Sequence, residues 1–250
     1  MSCLSSFALP NLCAQRLEST LVTRTFMAAP GTAGTAGTQT FAVPNGVCAF
    51  VVEMWGGGGS GGTATGGVVG QLAGGGGAGG YLRSTVRVEG CQVFNIVVGA
   101  GGSAPSGASV GTDGGDTTFI GSGVNYIARG GQGGQLSSAS QLGLGGEGGM
   151  AQFIAGGNGF VSKGGTGNAG ASFVNQPNGG GATSGGAGGV GALQAYQGYA
   201  ATNGYAEVGS LPGAGGGGGY IAETVGNVSK PGAAGADGMV LIQYSETRAI

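Results

Sequence analysis

Charge is scarce in this chain of 250 residues. Only 7% of the residues are charged, eight of them basic and ten acidic, and the net charge is -2. An average soluble protein has about 25% charged residues. Because the basic residues are few and spread along the chain, no basic stripe forms, and nucleic-acid binding has no electrostatic basis.

Histidine is absent. It is the commonest general base and a common metal ligand, so its absence removes the usual candidates for both roles. The ten acidic residues are scattered, and no two of them form a recognisable acid–base pair. We therefore expect a protein that is not an enzyme and that uses no cofactor.

Long apolar runs are also missing. No stretch approaches the 18 or so residues of a membrane span, and the N-terminus lacks the basic residues and long apolar run of a signal peptide. The sequence therefore predicts no membrane insertion and makes export by a signal peptide improbable. The four cysteines, Cys3, Cys13, Cys48 and Cys91, match no CxxC motif. We expect small buried thiols, and the spacing leaves open whether they form disulfides.

Glycine is what the chain has in excess, with 66 residues. Collagen is excluded, because a strict G-X-Y repeat is not kept and there are only 7 prolines. Disorder is one interpretation of this composition. The other is a bundle of polyglycine-II helices, in which extended backbones without side chains approach several neighbours and donate N–H groups to them. Such a bundle requires inner helices of nearly pure glycine and outer helices of mixed composition.

Strand signals lie between the glycine tracts. The clearest case is Phe50 to Trp55, which stops at Gly56 and is followed, after two glycine runs, by the alternating stretch from Tyr81. Strands are predicted at 40–46, 50–55, 81–88, 92–98, 117–120, 125–128 and 238–244. Signals fade for about a hundred residues beyond Gly130. We expect Trp55 to cover the end of the glycine bundle.

Residues 1–29 form a stretch without glycine that differs from the rest. The spacing of its apolar residues predicts a short helix, and the alternation from Val22 to Phe26 predicts a strand after it. A segment this small lacks a core of its own, so we expect it to dock on a neighbouring subunit or partner. The expected contact residues are Leu9, Leu12, Leu17, Leu21 and Phe26. Residues 30–39 read as a linker or a polyproline-II-like stretch, 40–245 as the main domain and 246–250 as a tail.

Two nucleotide motifs fail on inspection. Gly57, Gly59 and Gly62 satisfy G-x-G-x-x-G, but no amphipathic helix and no suitably spaced acidic residue follow. A P-loop is excluded, since Lys163 and Lys230 both follow serine. Asp113 and Asp116 are weak candidates for calcium ligands, and a turn before the next strand is the preferred interpretation.

Tyrosines alternate with amides in the segment 192–208. Tyrosine offers a flat amphipathic surface and Gln or Asn adaptable hydrogen bonds, a combination typical of loops that bind sugars or proteins. The alternative is that the rings cover the ends of glycine helices. The candidate receptor-binding residues are Tyr196, Gln197, Tyr199, Asn203 and Tyr205, with Phe173, Asn175 and Gln176 in a second loop and 135–142 as a weaker candidate of the same kind.

Several pieces of the chain resemble the glycine-rich domains of bacteriophage tail-fibre and other virion appendage proteins. They are 40–44, 51–62 with its Trp-Gly-Gly-Gly-Gly, 96–102, 114–119, 128–131 and 238–244. Their order is also similar to the glycine-rich domain of anaplastic lymphoma kinase-type receptors. The resemblance implies an all-β fold: an antiparallel, jelly-roll-like β-sandwich with polyglycine-II inserts, whose connecting loops choose the receptor.

We therefore expect a virion structural protein, acting outside the cell as part of a tail fibre, baseplate or surface knob and taking part in receptor binding without catalysis. Its expected partners are other virion proteins through the N-terminal segment, a host surface glycan or protein, and further copies of itself. A non-viral extracellular matrix or appendage protein is the alternative. Ice binding by a flat Thr/Ala face at 32–38 is a minor one, because that face does not recur along the chain.

Overall fold

A computed structural model describes residues 17–28, 37–65, 71–89, 91–138, 141, 143–167, 206, 209, 212–221 and 229–249. Within these residues the regular structure is all β. The strands are β1 Leu17–Met27, β2 Thr38–Ala42, β3 Ala49–Trp55, β4 Ala64–Thr65, β5 Gln71–Leu72, β6 Tyr81–Arg87, β7 Val93–Val97, β8 Thr117–Gly121, β9 Val124–Ala128, β10 Ala151–Ala155, β11 Gly159–Ser162, β12 Tyr220–Ile221, β13 Ser229–Lys230 and β14 Met239–Ala249. No helix in the described part of the chain could cross a membrane.

Two five-stranded antiparallel sheets form the layers of a β-sandwich, as predicted. Sheet A has the order β1-β14-β3-β6-β11, and sheet B the order β10-β9-β8-β7-β2. Along the central strands, such as β3 and β6, alternate side chains point inward, as the pleat requires. The core between the sheets is aromatic: Phe50 of sheet A meets Phe94 and Phe119 of sheet B at ring-centroid distances of 5.4 and 6.0 Å.

The predicted strands between residues 40 and 128 and the closing strand are all present. The hairpin of β8 and β9 turns at Ser122 and Gly123, both in the left-handed region with φ of 46° and 77°. No strand was predicted between Gly130 and the closing strand, but the structure has β10 and β11 there. These strands are short and lie at the two sheet edges, where a clean alternation of buried and exposed residues is not enforced.

The N-terminal segment is corrected where the structure describes it. Leu17 and Leu21 lie in strand β1, so the predicted helix does not extend over them. β1 pairs with β14 of the same chain along its whole length, from Leu17↔Ala249 to Met27↔Met239. β14 therefore gives β1 a pairing partner within the same chain, and docking of the segment on another molecule stays a prediction.

The observed strands also move the predicted boundaries. Residues 246–249, expected as a tail, belong to β14, and the main domain begins with β2 at Thr38 rather than at 40. Phe26, expected to dock elsewhere, packs against the core of its own chain, with its ring 6.4 Å from that of Phe41. Leu21 is 67% exposed. Leu9 and Leu12 lie outside the described residues.

The glycine-rich inserts all leave one end of the sandwich, the bundle end. Trp55 and Tyr81 are paired where the insert between β3 and β6 begins and ends, and Ala128 and Ala151 where the insert between β9 and β10 does. The opposite end, the base end, has the β8–β9 turn, the β10–β11 turn and the start of β1. Cys48 and Cys91 lie at the base end and are exposed, which corrects the expectation of buried thiols.

Candidate functional site: the glycine bundle

The described inserts contain nine extended tracts, numbered here in chain order. They are tracts 1 to 9 at 56–62, 73–80, 99–102, 111–115, 130–135, 143–149, 164–167, 213–219 and 232–238. Gly213, in the turn that opens tract 8, is the one described tract glycine with a positive φ. Together the tracts form a layer of hydrogen-bonded backbone beyond the bundle end, which we call the glycine bundle.

Tract 1 lies at the centre of the bundle, and its N–H groups turn to three neighbours in rotation. Every third residue donates to the same neighbour: first tract 2, then tract 4, then tract 9. The three bonds to tract 2 join Gly56 to Gly80, Gly59 to Gly77 and Gly62 to Gly74. A backbone with three residues per turn would show this rotation, because each turn presents the same face again.

Carbonyl groups of tract 1 accept from three other neighbours, tracts 3, 5 and 8. Tracts 3, 5 and 8, which donate to tract 1, run antiparallel to tracts 2, 4 and 9, which accept from it. Chain direction therefore alternates from one tract to the next around tract 1. The six surrounding tracts are also bonded to each other in the order 2, 5, 4, 3, 9, 8 and back to 2. Tract 1 is thus enclosed on all sides, and its residues are buried throughout.

Close approach of these backbones excludes side chains. A Cβ added at Gly58, Gly59 or Gly61 would lie within 3.0 Å of a backbone carbonyl, a separation that real Cβ atoms essentially never show. Ser60 is the one residue of tract 1 with a side chain. Its hydroxyl accepts the N–H of Thr112 at 2.8 Å, beside Gly102, the last residue of tract 3.

Asp113 and Asp116, the weak calcium candidates, complete the backbone network instead. The Asp113 carboxylate accepts the N–H of Gly133 at 2.8 Å, and that of Asp116 accepts the N–H of Gly130 at 2.9 Å. Asp237 accepts the N–H of Gly101 in the same way at 2.8 Å. Among the described residues, no group of three or more potential ligand side chains could hold a metal ion. The sequence carried a signal for this role that was missed, since both the aspartates and their glycines are three residues apart.

Trp55 and Tyr81 form the border between the sandwich and the bundle. Their rings are 5.1 Å apart, and the Trp55 carbonyl accepts a hydrogen bond from Thr117 Oγ1 at 2.7 Å. A Cβ at Gly213 would lie 3.6 Å from Trp55 Cβ, which places the tryptophan against the start of tract 8. Trp55 thus lies beside the start of tract 8, and the expectation that its ring covers the end of the bundle stays a prediction.

The Tyr81 hydroxyl donates to Glu53 Oε2 at 2.9 Å, while Arg83 Nε lies 3.4 Å from Glu53 Oε1. Burial raises the pKa of Tyr81 to about 12, with a further contribution from the hydrogen bond to Glu53. This polar cluster lies on the outer face of sheet A next to the glycine tracts.

Side chains on the outer tracts recur at every third residue and point to solvent. Tracts 4, 5 and 6 lie side by side in the bundle. Each of them, with the residue next to it in the chain where the row continues, carries one row of exposed side chains. The rows are Val110, Asp113 and Asp116; Arg129, Gln132 and Gln135; and Leu144, Glu147 and Met150. The mixed composition of outer tracts is what the packing argument requires, and the exposed rows contain charged, amide and apolar side chains but no threonine.

The far end of the bundle, its tip, carries the connecting loops. There the tracts turn into short pairs, β4 with β13 and β5 with β12, over a small cluster of Ala64, Ala73 and Ile221. The described connection 103–110 and the Ser138–Gln141 bridge also lie at the tip. The candidate receptor residues Tyr196, Gln197, Tyr199, Asn203, Tyr205, Phe173, Asn175 and Gln176 lie outside the described residues. Tract 7, which leads into that segment, runs toward the tip.

Comparison with known proteins gives one family. The family described as "Glycine-rich domain" matches residues 32–245, which cover the sandwich from β2 through most of β14 together with all nine tracts. No curated protein sequence matches the chain significantly.

Proposed function

The chain belongs to the glycine-rich domain family, and we propose that it is a structural protein of a virion that acts by binding rather than by catalysis. In this proposal it forms part of a tail fibre, baseplate or surface knob of a bacteriophage and takes part in attachment to a host surface glycan or protein.

The observation that carries the proposal is the division of the molecule into two ends. Strand β1 begins and strand β14 ends at the base end of the sandwich, whereas the bundle and its connecting loops project from the opposite end. Tract 1, at the centre of the bundle, is held by bonds to neighbours on every side. A platform of this kind supports loops that vary in sequence without requiring those loops to contribute to stability.

The tracts themselves we propose to be polyglycine-II helices. The rotation of donors among three neighbours and the negative φ of the tract glycines other than Gly213 support this assignment. NMR measurement of backbone angles for Gly56 to Gly59 and Gly215 to Gly219 tests it. Angles near -75° and +145° are expected, and values typical of β-strands would reject it.

Attachment to the rest of the particle is assigned to the base end. Leu21 lies in β1 with most of its side chain exposed, opposite Ser245 of β14, where the pairing of β14 with β3 has already stopped at Gln243↔Val51. A two-stranded ribbon is marginally stable in water by itself, so a further strand or a neighbouring copy would stabilise it. Deleting residues 1–16 and substituting Leu21→Ser are expected to reduce incorporation into particles while leaving the folded sandwich intact.

Immunogold electron microscopy with antibodies against the purified chain tests the location. The proposal expects gold on a tail or on the surface of virions. Gold on the cell envelope or extracellular matrix, with unlabelled particles, would favour the alternative of a non-viral appendage protein.

Adsorption of particles to host cells tests the role of the loops. The double variant Tyr196→Ala, Tyr199→Ala is expected to reduce adsorption about tenfold, as loss of aromatic anchors does at interfaces. Gln132→Ala, an exposed change on the side of the bundle, is the matched control. Equal adsorption by both variants would place the receptor contact elsewhere.

A further inference from the structure

Strand β6 has an open stretch at its edge near the base end. Its neighbour β11 pairs with it only from Tyr81↔Ser162 to Ser84↔Gly159. The last residues of β6, Thr85 to Arg87, therefore continue to pair with β3 on one side, while no described strand covers them on the other.

The ladder with β3 determines where the main-chain groups of this stretch point. Val88 N–H donates to the carbonyl of Cys48 at 2.9 Å, which marks 88 and 48 as a hydrogen-bonded pair. Such pairs alternate along an antiparallel ladder, so Val86 also bonds to β3 whereas Thr85 and Arg87 do not. The N–H and C=O groups of Thr85 and Arg87 thus point to the open side.

The chain before β11 is fixed away from this edge. Ser84 Oγ donates to the Asn158 carbonyl at 2.7 Å, and Tyr126 Oη donates to the Gly156 carbonyl at 3.2 Å. A Cβ at Gly157 would collide with the Tyr126 ring. The 156–158 turn is therefore folded inward over Tyr126 and is not placed to slide along β6.

A cleft of about 750 Å³ results beside the open edge. Its walls are Thr85, Val86 and Arg87 of β6, the β8–β9 turn from Ser122 to Val124, and the 156–158 turn. Three of the lining residues are glycines, Gly123, Gly156 and Gly157, so a second backbone can approach closely.

Arg87 gives the cleft its charge. The ion pairs among the described residues join Arg83 to Glu53 and Lys163 to Glu147, and none of them uses Arg87. A guanidinium group presents several donors in a plane that matches a carboxylate. Thr85, Ser122 and Asn158 add neutral hydrogen-bonding side chains.

We propose that this cleft binds an extended acidic peptide segment of a partner protein by strand addition to β6. The peptide's main chain would pair with Thr85 and Arg87, and a carboxylate two residues away or less would meet the Arg87 guanidinium. A saccharide fits less well, because the open edge offers main-chain pairs and the lining residues include no aromatic side chain for a sugar ring to stack on. The inference does not depend on the proposed role in a virion.

Fluorescence anisotropy with labelled peptides tests the proposal. The probe is the hexapeptide TVEVTV, compared with TVQVTV and with TVEVTV carrying N-methyl groups on its backbone. Saturable binding of the acidic peptide is expected, about tenfold weaker for the glutamine peptide and absent for the N-methylated one. Equal binding of the N-methylated peptide would overturn strand addition, and binding of oligoglucuronate without binding of the peptide would overturn the choice of ligand.

Variants of the chain locate the binding to this edge. Thr85→Pro removes an N–H that points away from β3, a position where an edge strand tolerates proline, and is expected to abolish binding. Thr85→Val retains the N–H and should bind as the unmodified chain does. Arg87→Ala is expected to weaken binding about tenfold, whereas Arg129→Ala on the bundle should not. Unchanged binding by folded Thr85→Pro protein would place the peptide elsewhere, and the comparison of peptides above stands if that variant does not fold.

Discussion

The sandwich and the glycine bundle each have an interior that excludes water, but different atoms form the two interiors. In the sandwich, residues such as Phe50, Phe94 and Phe119 exclude water with their side chains, and the backbones of the two sheets stay apart. In the bundle, Gly56 to Gly62 exclude water with the backbone itself, and almost every N–H is used between tracts rather than within one.

This difference separates two kinds of specificity. A side-chain core can accept another residue of similar volume, because rotamers and neighbours adjust. A backbone core has no rotamers to adjust, and a single methyl group meets a carbonyl that is already held by its own hydrogen bonds. The glycine positions of tract 1 are therefore expected to be the positions of the molecule most sensitive to substitution, although glycine is the smallest residue.

Gly59→Ala should produce the largest effect. The added Cβ would collide with the Gln132 carbonyl, and moving either backbone disturbs the bonds that both make to further tracts. We expect a loss of about 4 kcal/mol or more, above the 1–3 kcal/mol usual for overpacked side chains, measured by urea unfolding. Gly37→Ala, where nothing lies within 4 Å, is the control and should change little. Equal stability of the two variants would mean that the bundle yields to side chains as an ordinary core does.

Leu82 provides the corresponding change in the sandwich. Its side chain is fully buried in β6, so Leu82→Ala is expected to cost about 3 kcal/mol through lost transfer energy and a cavity. Leu82→Met, which keeps the volume, should cost less than about 1.5 kcal/mol. The pair of variants measures how far the sandwich tolerates a change of shape. A loss from the methionine variant as large as from alanine would remove the contrast with the bundle.

Sequence reasoning captured the sandwich better than its edges. Strands β3, β6 and β14 alternate cleanly because they are central in sheet A, with one face on the core, and period-two burial is then imposed on the residues. β10 and β11 lie at edges, and Ile154 and Phe160 are exposed there despite their size. Of β1, the strand from Val22 to Phe26 was predicted correctly, whereas Leu17 and Leu21 were expected in a helix. The partner strand β14 lies more than two hundred residues away, and local spacing contains no information about that pairing.

The bundle could be predicted in kind and not in arrangement. A need for nearly pure glycine inside and mixed residues outside follows from packing alone, and tract 1 and the rows on tracts 4 to 6 meet it. The order in which the tracts lie next to each other depends on the positions of the strands that end at the bundle end of the sandwich. The cleft beside Thr85 likewise follows from where β11 stops, a matter of register that neither Thr85 nor Arg87 signals in the sequence.

Tyr81 makes the border between the two regions sensitive to alkaline pH. Its folded-state pKa of about 12 is above the value near 10 expected for an unfolded chain. The neutral phenol is therefore favoured by folding: the contribution is complete below about pH 10 and is lost as the pH rises toward 12. Between pH 9 and 11 the unmodified chain should lose more stability than Tyr81→Phe, by about 1 kcal/mol after solvent screening, measured by denaturant unfolding. Parallel pH profiles for the two proteins would contradict the shift.

Substitution of Asp113 should give the smallest effect. This residue lies at the rim of the bundle, where a side-chain carboxylate accepts a hydrogen bond from a backbone N–H. Asp113→Ala leaves the Gly133 N–H without its acceptor, and because that bond is only partly buried, water can replace some of it. We expect a loss of about 0.5 to 1 kcal/mol, with partial recovery in Asp113→Asn, whose side chain keeps an oxygen acceptor. Thermal unfolding with and without millimolar Ca²⁺ separates this role from metal binding: a cap gives the same difference in both, whereas a calcium ligand would give a difference that grows with added calcium. The second result would restore Asp113 and Asp116 as ligands and would mean that the rim is held by an ion rather than by the chain's own carboxylates.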